Sequence, residues 1–218
     1  PPHLGHLAAA RTALDALKLD KLILMPAAVP PHKVLPENSP AQEHRLAMVE
    51  RMADAMERPG AVEVSTLELE REGKSYTSDT LEAIHRQYPE AELWLLMGTD
   101  MFLTLHLWHE PGTILRLAGI CAFGRSEQDG EDVFAPQREF LSKTYPDARI
   151  ATITLPGLVD ISSTQLRELL ARERGSEYLL PSVYGYILMN RLYGTYPCLK
   201  RLELPELRAC SCLLYTSD

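Results

Sequence analysis

The stretch LWLLMGTDMF, residues 93–102, begins with an almost continuous apolar run and continues into polar residues. An apolar run without alternation is typical of a strand that is buried on both faces, as in a parallel sheet. Three further runs have the same character: LILMPA (22–27), GICAFG (119–124) and RIATITL (149–155). We therefore predict a core of parallel strands, with residues 93–98 as one of them.

Helical patterns fill the segments between these strands. We predict helices at 6–18, 40–57, 77–88, 112–117, 135–144, 163–173 and 181–193. Strand–helix alternation of this kind favours an α/β fold, with a doubly wound and mostly parallel sheet and right-handed crossovers. The stretch VEVSTLELE (62–70) does alternate, and we expect it to form a sheet-edge strand with one face in water.

The composition is that of an ordinary globular protein of 218 residues, 45% hydrophobic and 24% charged. The 22 basic and 30 acidic side chains give a net charge of −8, which argues against a nucleic-acid binder without sequence preference. No apolar run reaches the ~20 residues that a membrane span needs. The four cysteines match neither a disulfide framework nor a zinc site, so we expect a cytoplasmic protein that has no metal cage of its own.

Ligands of open α/β sheets bind at the carboxyl ends of the strands, in loops that lead into helices. The loops to search are therefore 26–40, 71–80, 98–108 and 155–164. The first of them is rich in proline, so it should be stiff and extended. Lys33 follows a proline pair in this loop, where it is available to a phosphate group or simply to water.

Two histidines, His3 and His6, flank Gly5 at the start of the first helical pattern. Because they are three residues apart, both imidazoles can face one ligand, and the glycine lets that ligand approach the backbone. A helix N-terminus favours phosphate groups through its N–H groups and its dipole. Two interpretations stay open from these residues alone: a phosphate site in which imidazoles stabilise developing charge, and two surface histidines beside a helix cap.

A second helix start has similar chemistry near the other end of the chain. The sequence ISSTQLR places Ser162, Ser163 and Thr164 ahead of an amphipathic helix, with Arg167 one turn into it. Hydroxyl and N–H groups can cradle an anion there, and arginine can bind phosphate in a bidentate manner. A plain Ser/Thr cap beside a solvated arginine is the alternative. Two helix starts of this type in one α/β chain favour a shared anion site.

The motifs His-x-Gly-His (3–6) and Ile-Ser-Ser-Thr-x-x-Arg (161–167) resemble the signature of the adenylyltransferase branch of the nucleotidylyltransferase superfamily. The segments between them are similar to the bacterial members of that branch that act on nicotinate mononucleotide. These segments are PPHK (30–33), HRLAM (44–48), REGKSYTSDTL (71–81), MGTDMF (97–102) and Trp108. The resemblance extends from residue 1 to about residue 196, and it implies a Rossmann-like nucleotidylyltransferase fold.

The resemblance implies that the adenylyl group of ATP is transferred to nicotinate mononucleotide, which yields deamido-NAD and pyrophosphate in NAD biosynthesis. Because the phosphate of the mononucleotide attacks the α-phosphorus of ATP, no protein nucleophile is needed, and catalysis rests on positioning and charge stabilisation. Mg²⁺ is implied as the cofactor, held mostly by phosphate oxygens and water. ATP and the mononucleotide are the expected partners, and the chain is compatible with a homo-oligomer.

The resemblance also assigns roles to individual residues. His6, His3 and Arg167 are the implied catalytic residues, with His6 as the main contact of the transition state. The implied ATP site comprises these three residues together with Gly5, Gly98, Asp100, Ile161, Ser162, Ser163 and Thr164. The implied mononucleotide site comprises Lys33, Tyr76, Thr77 and Trp108. In it the pyridine ring lies against the indole of Trp108, and its carboxylate is bound near Thr77.

Other polar residues are assigned structural roles. Asp79 and Thr80 are expected to cap the helix that follows them. Arg45 is a weaker candidate for phosphate binding, because Glu43 and Glu50 are able to pair with it. Four further histidines match no ligand spacing and should be solvated or part of the core: His44, His85, His106 and His109.

Several alternatives to this function stay open. Phosphopantetheine adenylyltransferases share the two end motifs, but they are typically shorter and lack the SYTSDTL pattern combined with Trp108. An enzyme that prefers nicotinamide mononucleotide differs by one amide-for-carboxylate change in its substrate, which a sequence does not reveal. A non-catalytic nucleotide-binding or sensor module is the candidate of another class. Class I aminoacyl-tRNA synthetases use a similar histidine motif, but no Lys-Met-Ser-Lys-Ser-like loop accompanies it here.

The chain departs from the resembled pattern at both ends. Members of the branch have a strand and a glycine-rich loop before the histidine motif, so we expect an N-terminally truncated domain that is less stable and less active than its parent. Residues 1–196 are predicted to form the nucleotidylyltransferase domain. Residues 197–218 are predicted to be a tail, either the start of a fused HD-type domain or non-native sequence.

Overall fold

The computed structural model of the chain describes residues 1–27, 39–124, 131–155 and 161–197. The strands in these ranges are β1 (Leu22–Leu24), β2 (Val62–Val64), β3 (Leu93–Gly98), β4 (Ala118–Gly124) and β5 (Ile150–Thr154). The α-helices are α1 (Leu4–Ala16), α2 (Gln42–Asp54), α3 (Thr77–Gln87), α4 (Thr99–Leu103), α5 (Pro111–Leu117), α6 (Glu131–Thr144), α7 (Ser163–Leu170) and α8 (Pro181–Met189). Short 3₁₀ turns lie at Leu105–Leu107, Ser176–Tyr178 and Leu192–Gly194.

Among the described residues, the strands form two sheets, and every strand pair is parallel. In the smaller sheet β1 pairs with β2, and in the larger sheet β4 lies between β3 and β5. All seven residues of β4 are buried, as the continuous apolar run at 119–124 predicted. Parallel strands that alternate with helices confirm the predicted α/β fold class.

The main core lies between the larger sheet and the helices that pack on it. Its completely buried side chains come from α4, the turn that follows it, α5, β4 and α6: Phe102, Leu105, Ile114, Ile120 and Leu141. Truncation of such a side chain to alanine typically costs about 2–5 kcal/mol of stability. The carboxyl ends of β3 and β4, where functional residues are expected, are therefore anchored in rigid packing.

Gly119 allows β4 to pass close to an indole ring. A Cβ atom at position 119 would lie 2.7 Å from Cε3 of Trp94, which is closer than real Cβ contacts. The guanidinium of Arg149 lies over the same ring, 5.5 Å from its centroid. Trp94 is therefore part of the packing around the sheet, and only glycine fits beside it without a shift of the ring.

Several elements differ from the predicted bounds by a few residues, and two segments differ in kind or extent. The edge strand predicted at 62–70 ends at Val64, because its partner β1 ends at Leu24, and the chain then turns through Thr66. The N–H of Glu70 donates to the carbonyl of Thr66 at 3.0 Å in this turn. The helix at Thr99–Leu103 lies in a stretch predicted as a loop, since five residues are too few to show a helical period.

In the described part of the chain, no helix is both long and apolar enough to cross a membrane. Lys33 and the three cysteines after Tyr196 lie outside the described residues. The division into a domain at 1–196 and a tail at 197–218 accordingly stays a prediction.

Candidate functional site

Helix α1 begins with two histidines that cap it reciprocally. His3 is the N-cap residue, and its Nδ1 accepts a hydrogen bond from the N–H of Gly5 at 3.2 Å. Nδ1 of His6 accepts in turn from the N–H of His3, also at 3.2 Å, and the two ring centroids are 3.8 Å apart. This is a capping box in which both side chains are imidazoles. The two histidines therefore form the cap themselves, and His3 is buried, so they are not two surface histidines beside a cap.

The reciprocal caps determine which imidazole nitrogen carries hydrogen. A neutral imidazole has one donor nitrogen and one acceptor nitrogen. Because Nδ1 accepts in both rings, the hydrogen of each neutral ring belongs on Nε2. An Nε2–H group can donate a hydrogen bond to a phosphate oxygen. His3 is buried whereas His6 is exposed, so His6 is the more accessible of the two donors.

Helix α7 also begins with a capping box. The N–H of Gln165 donates to Oγ of Ser162 at 3.1 Å, and the N–H of Ser162 donates to Oε1 of Gln165 at 2.9 Å. The first N–H groups of a helix have no acceptor within the helix, so those of Ser163 and Thr164 can serve an anion. Ile161 is buried beneath this start and anchors it to the core.

Arg167 and the start of α1 lie close to each other. The guanidinium of Arg167 interacts electrostatically with Pro1. Burial raises the pKa of the Tyr193 phenol to about 12, against the opposing effect of the guanidinium groups of Arg167 and Arg45. These effects require proximity, because charges act over short distances in a protein. Arg167 thus lies close to the residues that precede His3, and Arg167 and Arg45 both lie close to Tyr193.

Arg45 has no carboxylate partner of the kind the sequence suggested. Ion pairs in the described part of the chain do not join it to Glu43 or Glu50, so that pairing is not observed there. Its guanidinium donates to the carbonyl of Ala27. Its Nε is buried without a hydrogen-bond partner among the described residues. A buried donor without an acceptor is costly, and an anionic ligand would supply one.

The carboxyl end of β3 carries Gly98 and Asp100, as the sheet rule predicts. Gly98 is the N-cap residue of α4, and Asp100 lies exposed in its first turn. Between them, the buried hydroxyl of Thr99 donates to the carbonyl of Phe123 at 3.1 Å. This bond ties the end of β3 to the end of β4, so the position of Asp100 is fixed by the sheet.

The segment before α3 is held by Arg71, a residue that sequence reasoning missed. One guanidinium nitrogen of Arg71 lies 2.9 Å from Oγ of Ser75, 3.1 Å from Oγ1 of Thr80 and 3.4 Å from the carbonyl oxygen of Tyr76. Oγ1 of Thr80 is also 3.0 Å from Oε1 of Glu68. An arginine in a polar loop gives no sequence signal of such a role, because its acceptors become apparent only in the fold.

Tyr76 and Thr77 therefore lie on a braced helix start. Tyr76 is the N-cap residue of α3 and provides no side-chain cap, and Thr77 is the first helical residue. Asp79 and Thr80 lie inside the helix, so the prediction that they cap it is wrong. The hydroxyl of Thr80 is 3.2 Å from the carbonyl of Tyr76 instead, one turn back.

Trp108 follows the 3₁₀ turn at Leu105–Leu107, and its half-buried indole packs against the main core. The next residue, His109, reaches the loop before α3: its ring centroid is 4.1 Å from that of Tyr76. The structure thus brings together the segments that carry Thr77 and Trp108. Sequence reasoning set His109 aside because a single histidine matches no ligand pattern.

The two helix starts suit an anion better than a metal ion. Within the described residues, no group of three or more His, Cys, Asp or Glu side chains could hold a metal ion. The side chains at these starts are imidazole, hydroxyl and guanidinium groups, which donate hydrogen bonds to anionic oxygens. A divalent ion here would take most of its ligands from phosphate groups and water.

Comparison with known proteins agrees with these features. The model of the family described as cytidylyltransferase-like matches residues 1–169. A protein of Gemmatimonas aurantiaca named "Probable nicotinate-nucleotide adenylyltransferase" is 35% identical over 198 residues, which cover 90% of this chain and 89% of the relative. A protein of the same name from Shewanella sp. (strain MR-7) is 38% identical, over 88% of this chain and 94% of the relative.

Solved structures of Plasmodium falciparum nicotinic acid mononucleotide adenylyltransferase share the fold. The one complexed with NaAD has a TM-score of 0.69 at 17% identity, over 88% of this chain and 92% of that chain. The one complexed with APC has a TM-score of 0.67 at 16% identity, with the same coverage. At this identity the likeness concerns the fold, and the sequence relatives carry the more specific information.

Proposed function

The chain belongs to the cytidylyltransferase-like family, within its group of nicotinate-nucleotide adenylyltransferases, and from this membership we propose that it transfers the adenylyl group of ATP to nicotinate mononucleotide. The products are deamido-NAD and pyrophosphate, and the reaction is a step of NAD biosynthesis. The observation that carries the proposal is the 38% identity that extends over 94% of the Shewanella relative. A shared fold alone would not support it, because one fold hosts many activities.

The reaction is a displacement at the α-phosphorus of ATP. A phosphate oxygen of the mononucleotide forms the new P–O bond, and the bond from the α-phosphorus to the bridging oxygen breaks. Pyrophosphate leaves with the bonding electrons, and no bond to the protein forms. The protein therefore accelerates the reaction by holding the two phosphates in line and by stabilising the charge that develops.

We assign the triphosphate to the paired helix starts. The Nε2–H groups of His6 and His3 donate to phosphate oxygens, with His6 as the principal contact of the transition state because its ring is exposed. Arg167 supplies a permanent positive charge. The N–H groups of Ser163 and Thr164 supply donors at the start of α7.

We assign the other residues of the ATP site from their places at the two helix starts and at the end of β3. Gly5 leaves room for a phosphate beside the first turn of α1. Ile161 and the Ser162 cap hold the start of α7 in place. Gly98 and Asp100, at the end of β3, are assigned to the ribose, with the carboxylate of Asp100 as an acceptor for its hydroxyl groups.

We assign the mononucleotide to the segment that carries Tyr76 and Thr77 and to the segment that carries Trp108. The pyridine ring lies against the indole of Trp108, and the carboxylate is bound at the N-terminus of α3 by the backbone of Thr77 with Tyr76 beside it. A helix N-terminus favours the negatively charged carboxylate over an uncharged amide, which supports nicotinate over nicotinamide as the substrate. Lys33 is assigned to the phosphate of the mononucleotide.

Mg²⁺ is proposed as the divalent ion that accompanies ATP. Imidazole, hydroxyl and guanidinium groups at the helix starts leave the ion to phosphate oxygens and water, which are ligands that Mg²⁺ prefers. When bound, it neutralises charge on the triphosphate. A cytoplasmic location, a homo-oligomeric state and the limits of the domain at residues 1–196 stay predictions.

Pyrophosphate release from ATP tests the proposed function directly. We expect release with nicotinate mononucleotide and a kcat/KM at least about tenfold lower with nicotinamide mononucleotide, because the helix terminus discriminates by charge. Phosphopantetheine should give none. A preference for nicotinamide mononucleotide, or no release with any acceptor, would contradict the proposal.

The variant His6→Ala separates an enzyme from a sensor module. Loss of one donor to developing charge typically lowers kcat by about 10²–10³. We expect a loss of that size, with mononucleotide affinity unchanged when it is measured by calorimetry. His85→Ala, an exposed histidine near the end of α3, is the matched control and should retain full activity. A protein whose turnover is insensitive to His6→Ala does not use this helix start for catalysis.

A further inference from the structure

Tyr76 and His109 form an aromatic contact between two segments that are far apart in the sequence. Their ring centroids are 4.1 Å apart, and the ring planes are tilted by 34°. Tyr76 immediately precedes Thr77, and His109 immediately follows Trp108. The contact is therefore adjacent, on both sides, to residues assigned to the pyridine ring and its carboxylate.

Polar contacts hold the backbone of Tyr76 in place. Its carbonyl oxygen accepts from the N–H of Thr80 at 3.2 Å, and a guanidinium nitrogen of Arg71 lies 3.4 Å from the same oxygen. Arg71 also contacts the side chains of Ser75 and Thr80, so the whole segment is braced on one side. These contacts hold the backbone of Tyr76, whereas its ring packs against the imidazole of His109.

The backbone around His109 is held as well. The N–H of Trp108 donates to the carbonyl of Leu105 at 3.1 Å. On the other side, Glu110 has a left-handed backbone with φ of 49° and precedes Pro111, a combination that non-glycine residues rarely adopt. Two N–H groups in the first turn of α5 donate to the Glu110 carbonyl and retain this conformation. Unusual backbone of this kind persists where the surrounding structure imposes it.

We propose that His109 is a positioning residue for the mononucleotide: its imidazole packs on Tyr76 and holds the start of α3 at a fixed separation from Trp108. This inference rests on the proposed function. The space between the start of α3 and Trp108 then has a fixed width. Because the protein loses less conformational freedom when the pyridine ring binds there, the contact strengthens mononucleotide binding. It lies outside the triphosphate site, so it leaves ATP binding and the chemical step unchanged.

The variant His109→Ala tests this role. Aromatic pairs contribute modestly beyond their buried area, so we expect KM for nicotinate mononucleotide to rise about tenfold or somewhat less. KM for ATP and kcat at saturation should stay within about twofold. His109→Phe keeps a ring on Tyr76 and should return KM close to the wild-type value. His85→Ala is again the control. A purely structural role would lower the melting temperature without this split between the two substrates.

A double-mutant cycle with Tyr76→Ala identifies the partner. If His109 acts through Tyr76, His109→Ala has no further effect on mononucleotide affinity once the tyrosine ring is absent. Additive effects, an unchanged affinity in His109→Ala, a parallel rise in KM for ATP, or no recovery in His109→Phe would each overturn the inference. Affinity is measured by calorimetry with nicotinate mononucleotide in every variant. A wild-type protein that binds the mononucleotide but releases no pyrophosphate would then contradict the proposed function alone.

Discussion

His3 shows how one side chain can serve the fold and the reaction together. As the N-cap of α1 it accepts from the N–H of Gly5, and this bond directs the hydrogen of the neutral ring to Nε2. Serine, threonine, aspartate and asparagine cap helices at least as well, so stability alone gives no reason for an imidazole. Aspartate has no donor, and the donors of serine, threonine and asparagine are on shorter side chains, whereas the imidazole leaves an Nε2–H donor farther from the backbone.

Substitution of His3 by alanine and by asparagine separates the two roles. His3→Ala removes the cap and should lower the free energy of unfolding by about 1 kcal/mol, along with the turnover. His3→Asn restores a capping oxygen, so it should recover the stability while pyrophosphate release stays low. Urea denaturation and the release assay measure the two quantities in parallel. If asparagine recovers both, His3 is only a cap.

The residues of the site were predictable to different degrees. His3, His6 and Arg167 stand in short motifs whose chemistry is apparent in the sequence. Arg71 and His109 were missed because their contacts, to Ser75 and Thr80 and to Tyr76, join segments whose proximity depends on the fold. A periodic pattern indicates which face of an element is buried, but it does not indicate which loop faces which.

At the scale of elements, long apolar strands were the most predictable. Residues 93–98 form β3 without a change of boundary, although most of β3 is only half-buried. The run at 119–124 forms most of β4, all of which is buried. The strand predicted from the alternating run at 62–70 was too long. The length of a strand also depends on its partner, and the partner β1 has three residues. Helix α4 was not predicted, because it is shorter than two helical turns and shows no helical period.

The end of α1 gives a prediction about element stability. Lys18 has a left-handed backbone with φ of 50°, and the N–H of Leu19 donates to the carbonyl of Leu14 at 3.0 Å, as in a Schellman motif. Glycine has no Cβ penalty in this conformation. Lys18→Gly should therefore raise the free energy of unfolding by about 0.5–1 kcal/mol in urea denaturation. Lys18→Ala keeps the Cβ atom and should bring no gain; a gain of equal size would assign the effect to the lysine side chain.

At the scale of the whole molecule, an acidic protein carries a locally basic site. The net charge is −8, yet the guanidinium groups of Arg45 and Arg167 both lie close enough to Tyr193 to lower the pKa of its phenol against the effect of burial. Attraction of the triphosphate must therefore come from groups at short range, because the overall charge repels it.

Arg45→Gln tests this local attraction. We expect KM for ATP to rise about tenfold, because a charge-assisted hydrogen bond is lost. The dependence of that KM on salt concentration should also become weaker, since one screened interaction is removed. Arg51→Gln, on the same helix, is the control: its guanidinium packs over the ring of Tyr186, 4.0 Å from the centroid, and should not affect the salt dependence. An unchanged KM for ATP in Arg45→Gln would exclude Arg45 from the triphosphate site.

The division of the strands into two sheets has a consequence for how the molecule opens. Backbone hydrogen bonds hold β1 to β2, and β4 to both β3 and β5. In the part of the chain that the structure describes, the two sheets share an apolar cluster in which Leu7 and Leu14 of α1 pack with Leu22 of β1 and Leu96 of β3. Cooperative units of a protein open where few hydrogen bonds cross. Amide hydrogens of β1 and β2 should therefore exchange with solvent faster than those of β4, which is completely buried between two neighbouring strands.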